Sequence, residues 1–383
     1  MLTMIRLYFH YIPPHPIIKR TTSLSPKPSA RADKYRKYFQ RTWILPHTSG
    51  TIAQTGRKII EHGETMQKQR IGILLLNMGG PEKQADVAPF LYNLFSDREI
   101  IRLGPPWLQK PLAWYIARKR AGKSRQAYAS IGGGSPLKRL TMDQAGSLQT
   151  VLQSEGDYTV AVAMRYWQPR AAEAVTTLLS RGIERIIALT LYPHYSRATT
   201  GSSIKDLKTE IDRLCPGMAC DTIESWPDHP LYIDALIDSI NQGLSRFDGQ
   251  DVQIVYSAHS LPVSFIREGD PYVEDILRTL RAIEKRTGRT GRLCYQSRSG
   301  PVEWLSPSTP EMIETLAREG VKNILMVPIS FVSDHIETLY EIDILYKNQA
   351  EQLGIRLQSS PALNSHPSLI ACLKDLVLQR SRQ

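Results

Sequence analysis

From residue 71 onward the chain alternates short apolar runs with longer stretches in which apolar residues recur every three or four positions. The runs Ile71–Asn77, Tyr158–Met164, Arg185–Tyr192, Asp251–Ser257, Arg292–Gln296, Asn323–Ile329 and Ile355–Gln358 are continuous and rich in β-branched residues. That pattern belongs to parallel strands covered on both faces. Helical periodicity lies between them, as in Arg170–Arg181 and Pro310–Glu319. The alternation predicts βαβ units with right-handed crossovers, hence an α/β protein.

One unit is used twice. Leu178–Ile187 (LLSRGIERII) resembles Leu316–Leu325 (LAREGVKNIL): a helix end, a glycine, a short turn and a buried strand. A glycine suits the left-handed residue that closes a helix. Each strand then runs into a polar loop, Tyr192-Pro193-His194-Tyr195 in the first half and Ser333-Asp334-His335 in the second. The expected architecture is two similar Rossmann-like domains, 66–245 and 246–383, with the last helix crossing back. Each would be a parallel sheet flanked by helices, with the active-site cleft between them at the strand C-termini, where open α/β sheets bind ligands.

Length and charge refine this. A chain of 383 residues suits two ordinary domains. The net charge of +11 suggests nucleic acid or an acidic surface. Yet residues 1–60 hold 11 Lys/Arg against Asp33 alone, and 66–383 carry only about +3. The basicity therefore belongs to residues 1–65, expected to be a disordered extension, a mis-called start with Met66 as the real one, or a transit peptide. No nucleic-acid partner is expected of the body. No apolar run is long enough for a membrane span. The four cysteines, Cys215, Cys220, Cys294 and Cys372, show no CxxC spacing.

Several segments can carry chemistry. Ser257-Ala258-His259-Ser260 places an imidazole at a strand exit, as a hydrogen-bonded structural histidine, a base or a metal ligand. A hydrolase would need a GxSxG elbow, which is missing. In Ser333-Asp334-His335-Ile336-Glu337 and onward, a helix beginning near Ser333 or Asp334 would be capped by them. It would carry Asp334, Glu337 and Glu341 along one face. Such a row is either a solvated surface or a path for protons or cations into a pocket. Asn77-Met78-Gly79-Gly80-Pro81 and Ile131–Pro136 are glycine-rich loops without a nucleotide-phosphate signature. Trp107, Leu108, Leu112, Trp114, Tyr115 and Ile116, closed by Arg118, Lys119 and Arg120, are either a core helix or an exposed lip for a membrane surface.

Together these segments resemble the ferrochelatase family over about 71–378. The carriers are LLLNMGGP (74–81), FLYNLFSDREIIRL (90–103), SIGGGSPL (130–137), MRYWQP (164–169), LYPHYS (191–196), TTGSS (199–203), YSAHSLP (256–262), GDPY (269–272), YQSRSGPVEWL (295–305) and FVSDHIETLYEID (331–343).

The resemblance implies insertion of Fe2+ into protoporphyrin IX with release of two protons, the terminal step of haem synthesis. His259 and Glu337 would be catalytic and would meet the substrate metal. Asp334, His335 and Glu341 would relay protons or metal. Met78, Arg120, Ser135, Arg165, Tyr166, Tyr192, Trp226 and Trp304 would line the porphyrin site or its metal path. The glutamate-bearing helix of the family often carries a π-bulge. Arg197 stands where animal members have a cysteine, and the sequence stops at Gln383, short of their iron–sulfur extension. No cluster and no cofactor are therefore expected, Fe2+ being substrate, and the protein would be a monomer or weak homodimer. Met78 and the long segment 90–120 resemble the protoporphyrin branch rather than the coproporphyrin branch. The expected location is the cytoplasm, peripherally on the inner membrane face, or an organelle matrix if 1–65 is a transit peptide. The alternatives are a coproporphyrin ferrochelatase, a cobalt or nickel chelatase, and a non-catalytic porphyrin or haem carrier.

Overall fold

The computed structural model describes residues 69–383 apart from Ser299 and Pro301; the expectations for residues 1–65 and Met66 lie outside them. The described residues belong to one compact unit. It holds two four-stranded parallel sheets. The first contains β1 (Ile71–Asn77), β2 (Tyr158–Met164), β3 (Arg185–Thr190) and β4 (Ala219–Ile223) in the order β2-β1-β3-β4. The second contains β5 (Gln253–His259), β6 (Arg292–Gln296), β7 (Asn323–Pro328) and β8 (Arg356–Ser359) in the order β6-β5-β7-β8. The two orders are the same permutation, so the duplicated unit is a duplicated sheet.

The repeat falls at equivalent places. Helix α4 (Ala171–Ser180) ends before Gly182 and β3, and α9 (Thr309–Arg318) ends before Gly320 and β7. Gly182 and Gly320 have φ of 67° and 84°, the left-handed conformation that closes a helix without Cβ strain. After each of these strands the chain enters a π-helix, Arg197–Gly201 in the first half and Glu337–Tyr346 in the second. Each continues into an α-helix, α5 (Ser202–Leu214) or α10 (Lys347–Gln352).

Both faces of each sheet are covered. In β1, Ile71, Ile73 and Leu75 join the largest apolar cluster, while Leu74 and Leu76 pack on the other face with Ala174, Leu178 and Leu207. In β5, Ile254, Tyr256 and Ala258 enter that same large cluster. The inner faces of the two sheets therefore feed one core. Truncating one of these aliphatic side chains to alanine costs about 2–5 kcal/mol. Helices α3 (Leu137–Leu152), α6 (Pro230–Leu244), α8 (Tyr272–Thr287) and α11 (Pro367–Ser381) contribute to it. The expected boundary at 245/246 falls in a short 3-10 turn, Ser245–Phe247. Helix α11 crosses back to pack on α3, β3 and β4. Its crossing with α6 is held at both ends: His229 meets Asp375 at 3.0 Å, and His366 meets Asp238 at 3.8 Å.

Two expectations need correction. The strand β4 was not predicted: Ala219-Cys220-Asp221-Thr222-Ile223 is short, lies at a sheet edge, and carries an aspartate that answers Arg185 of β3 at 2.6 Å. Ser333 and Asp334 do not cap the helix that follows. Ser333 accepts from Gln144 at 3.0 Å, and the Asp334 carboxylate accepts from Thr338 and Asn364. The helix starts only after them, as a π-helix without a side-chain cap.

Candidate active site

The strand order of the second sheet builds the site. Strand β5 lies between β6 and β7, and its last residue, His259, pairs in parallel register with Gln296, the last of β6. Ile329 and Ser330 leave β7 beside them, with Ser330 Oγ accepting from the His259 amide at 3.2 Å. The π-helix then brings Glu337 to the same edge. His259 Nδ1 lies 2.8 Å from Glu337 Oε2. Gln296 Nε2 donates to that same oxygen at 3.1 Å. Tyr272 holds the histidine from below, its hydroxyl donating to the His259 carbonyl at 3.0 Å. The Phe331 ring stands edge-on to His259 at 6.3 Å and tilts over His335 at 4.0 Å.

The electrostatics follow from this pairing. Burial disfavours the imidazolium of His259, but the Glu337 carboxylate outweighs it and holds the histidine above its ordinary range. Burial likewise pushes Glu337 up, and the His259 charge and hydrogen bond overcome it, leaving the carboxyl well below its ordinary range. Glu341 is different. Burial and the neighbouring Glu337 charge both raise it, to about 7, although Ser297 donates to its Oε2 at 2.6 Å. One carboxylate is thus kept ionised and the next protonates near neutrality. The His335 Nδ1–H donates to the Ser333 carbonyl at 3.1 Å, so its Nε2 carries the lone pair, buried and without a hydrogen-bond partner among the described residues. Burial holds that histidine neutral.

Met78 follows β1, and its amide donates to Asn77 Oδ1 at 2.8 Å. Arg165 and Tyr166 extend the β1–β2 ladder past the strand, their amides donating to Asn77 and Met78 carbonyls at 2.8 and 2.9 Å. Their side-chain heads turn to Asp97, whose Oδ2 accepts from Arg165 at 2.9 Å and from the Tyr166 hydroxyl at 2.7 Å. Met78, Tyr192 and His335 line one pocket together with Asn77, Phe331 and Ser333. Ser135 packs on Gly80, where an added Cβ would come within 2.6 Å of the serine side chain. The half-buried Arg120 lies over the Phe95 ring at 5.4 Å. Trp304 is half-buried on the segment bridged to Pro262. Trp226 instead belongs to the shared core, donating to the Thr190 carbonyl at 2.9 Å and standing edge-on to Tyr232.

Residues the sequence reading did not single out complete the site: Gln296, Ser297, Tyr128, Phe331 and Tyr272. Gln296 and Ser297 lie in a motif that was noted, directly after a strand. Tyr128, buried at the end of α2 (Pro106–Ala129), packs with Met78, and the Glu337 charge raises its hydroxyl further above its range. Nothing in the pattern around it marks it.

The family model for Ferrochelatase matches residues 70–381. The protein named ferrochelatase from Desulfotalea psychrophila is 58% identical over 316 residues, covering 82% of this chain and 99% of its own length. That from Geotalea daltonii is 52% identical over 313 residues, covering 81% and 97%. Among solved structures, SirB from Bacillus subtilis with Fe3+ superposes with a TM-score of 0.50 at 10% identity, covering 81% of this chain and 95% of its own. That likeness shows a shared chelatase fold.

Proposed function

The chain belongs to the ferrochelatase family, a metal chelatase of haem synthesis, and from that premise we propose that its porphyrin is protoporphyrin IX and that His259 and Glu337 perform the exchange. The observation that carries the reading is the 2.8 Å pair itself. Because His259 Nδ1–H is committed to Glu337, Nε2 is the nitrogen that can take pyrrole protons. The side chain is 34% exposed, enough to be reached from the cleft. In this reading Glu341, which burial and the Glu337 charge raise to about 7, takes a proton onward from Glu337. Two protons leave as Fe2+ enters, so the pocket holds no new net charge.

Met78 and Tyr128 support an apolar floor for the macrocycle. Helix α2 supports a lip: Trp107, Trp114 and Tyr115 are 73%, 54% and 40% exposed, beside Arg118 stacked on Trp114. The helix carries six Lys/Arg and no acid. An apolar edge with that charge suits the surface of an anionic membrane, from which a greasy porphyrin would enter. No helix of the described residues is long and apolar enough to cross a membrane.

The test is a continuous absorbance assay of Met66–Gln383 without oxygen, using Fe2+ or Zn2+ with protoporphyrin IX and, separately, coproporphyrin III. The expected result is metalloporphyrin formation preferring protoporphyrin IX and lost in Glu337→Gln. Preference for coproporphyrin III would replace the substrate; turnover unchanged in Glu337→Gln would remove that residue from the chemistry.

A further inference from the structure

Gln296 is 1% exposed and has both ends of its amide engaged. Strand pairing puts it there: it is the register partner of His259, and its own carbonyl accepts from the Ser260 amide at 2.9 Å. One end of the side chain faces two acceptors, Glu337 Oε2 at 3.1 Å and the Glu337 main-chain oxygen at 3.5 Å. That end must therefore be the NH2. The other end, Oε1, accepts from the Ser257 hydroxyl at 2.5 Å. Ser257 comes two residues before His259 on β5 and is itself buried beside Thr309. A flipped amide would set its carbonyl against the carboxylate, so the orientation is forced.

The consequence lies at Glu337. Its Oε2 receives two donors, His259 Nδ1–H and Gln296 Nε2–H, and is filled by them. We propose that Gln296, held from behind by Ser257, is the positioning residue of this centre: it holds Glu337 Oε2 against His259, with Ser297 as a further donor to the same carboxylate. Without that second donor the carboxylate can rotate about its last bond, and the alignment of the imidazole with the ring nitrogens is lost with it. This rests on the proposed roles of His259 and Glu337. Gln296 does not touch the porphyrin, so its contribution belongs to turnover and not to porphyrin binding.

The experiment compares steady-state Zn2+ insertion into protoporphyrin IX by wild type, Gln296→Met, Gln296→His and Ser257→Ala, each first checked by urea unfolding. Gln296→Met keeps the side-chain length and removes the donor; kcat should fall about 10–100-fold with porphyrin KM unchanged, the scale of an outer-shell partner. Gln296→His, whose Nε2–H has a similar reach, should recover part of that loss. Ser257→Ala, which frees the amide to flip, should show the same split more weakly. A Gln296→Met protein with wild-type kcat overturns the inference, as does a loss shared by kcat and KM or a histidine variant no better than methionine. A wild type that inserts no metal overturns the functional reading beneath it, and a working wild type beside unaffected variants overturns this inference alone.

Discussion

The two halves of this molecule share a strand order, a crossover pattern and a π-helix after the third strand, yet they present different chemistry at the same edge. The central strand of the first sheet ends in Asn77 and that of the second in His259. Asn77 is spent on structure, donating to Thr141 at 3.0 Å and accepting from the Met78 amide. His259 is spent on Glu337. The first π-helix reads Arg-Ala-Thr-Thr-Gly and starts at a serine cap, where Ser196 donates to Asp270. The second carries Glu337 and Glu341. A duplicated backbone thus supplies two equivalent edges, one ending in the Asn77 hydrogen bonds, the other in the His259–Glu337 pair. The lesson is that position at a strand exit is not sufficient to make a group reactive.

The largest effect should come from breaking the charged edge. Glu337→Gln and His259→Ala should each lower turnover by about 100-fold or more, the usual scale of a positioned acid or base, while porphyrin binding persists. Asn77→Ala, the equivalent change in the other half, should instead cost about 1–3 kcal/mol of stability by leaving the Met78 amide without its acceptor, read as a urea midpoint.

Next in size is Asp97→Ala. It leaves the Arg165 guanidinium, only 17% exposed, with Asp206 at 3.2 Å as its remaining carboxylate, and the Tyr166 hydroxyl with Ser202 alone. With that second carboxylate still in place, the loss of the buried hydrogen bonds to Asp97 should cost about 1–3 kcal/mol. The first half should therefore fail by unfolding where the second fails by chemistry, which parallel melting curves and assays would separate.

The third test uses pH. Glu341 protonates at about 7 in the folded chain against an ordinary 4.5. Between those values the folded chain holds more protons than the unfolded one, so stability contributed here is lost as pH rises through the window. Glu341→Gln should remove that fall, making the variant more stable than wild type at pH 8 by about 1–3 kcal/mol while matching it near pH 4. An unchanged pH slope would contradict the geometry around Glu341.

The smallest stability effect belongs to the lip. Trp107→Ala with Trp114→Ala should change the melting midpoint by no more than about 0.5 kcal/mol, since both rings already face solvent. Sedimentation with anionic vesicles should nonetheless fall in the double variant, with turnover on detergent-dispersed porphyrin unchanged. Equal vesicle binding would detach the lip from any membrane role.

Seven of the eight strands were legible because buried parallel strands must be apolar along their whole length, a signal that survives in one dimension. All seven were placed within two residues at both ends, and β1, β2 and β6 to the residue. Strand β4 was not, because an edge strand of five residues with an aspartate answering Arg185 has no such signal. The repeated glycines were readable too, since a helix stop is a local requirement. His259 and Glu337 could be named through motifs, and the resemblance set them facing each other across a pocket, but not in contact: 78 positions separate them, and the β5–β7 adjacency and the wider turn of the π-helix bring Nδ1 to Oε2.

By itself, then, the sequence determined the alternation of elements, the doubled unit and the residue types available for chemistry, because these depend on burial pattern and local backbone preference. The tertiary structure decided which oxygen of Glu337 meets the imidazole, that Gln296 and Ser257 hold it, and that Arg165 is turned to Asp97. Those outcomes depend on hydrogen bonds between strands and helices far apart in the chain, where a displacement of one ångström decides whether a donor meets an acceptor.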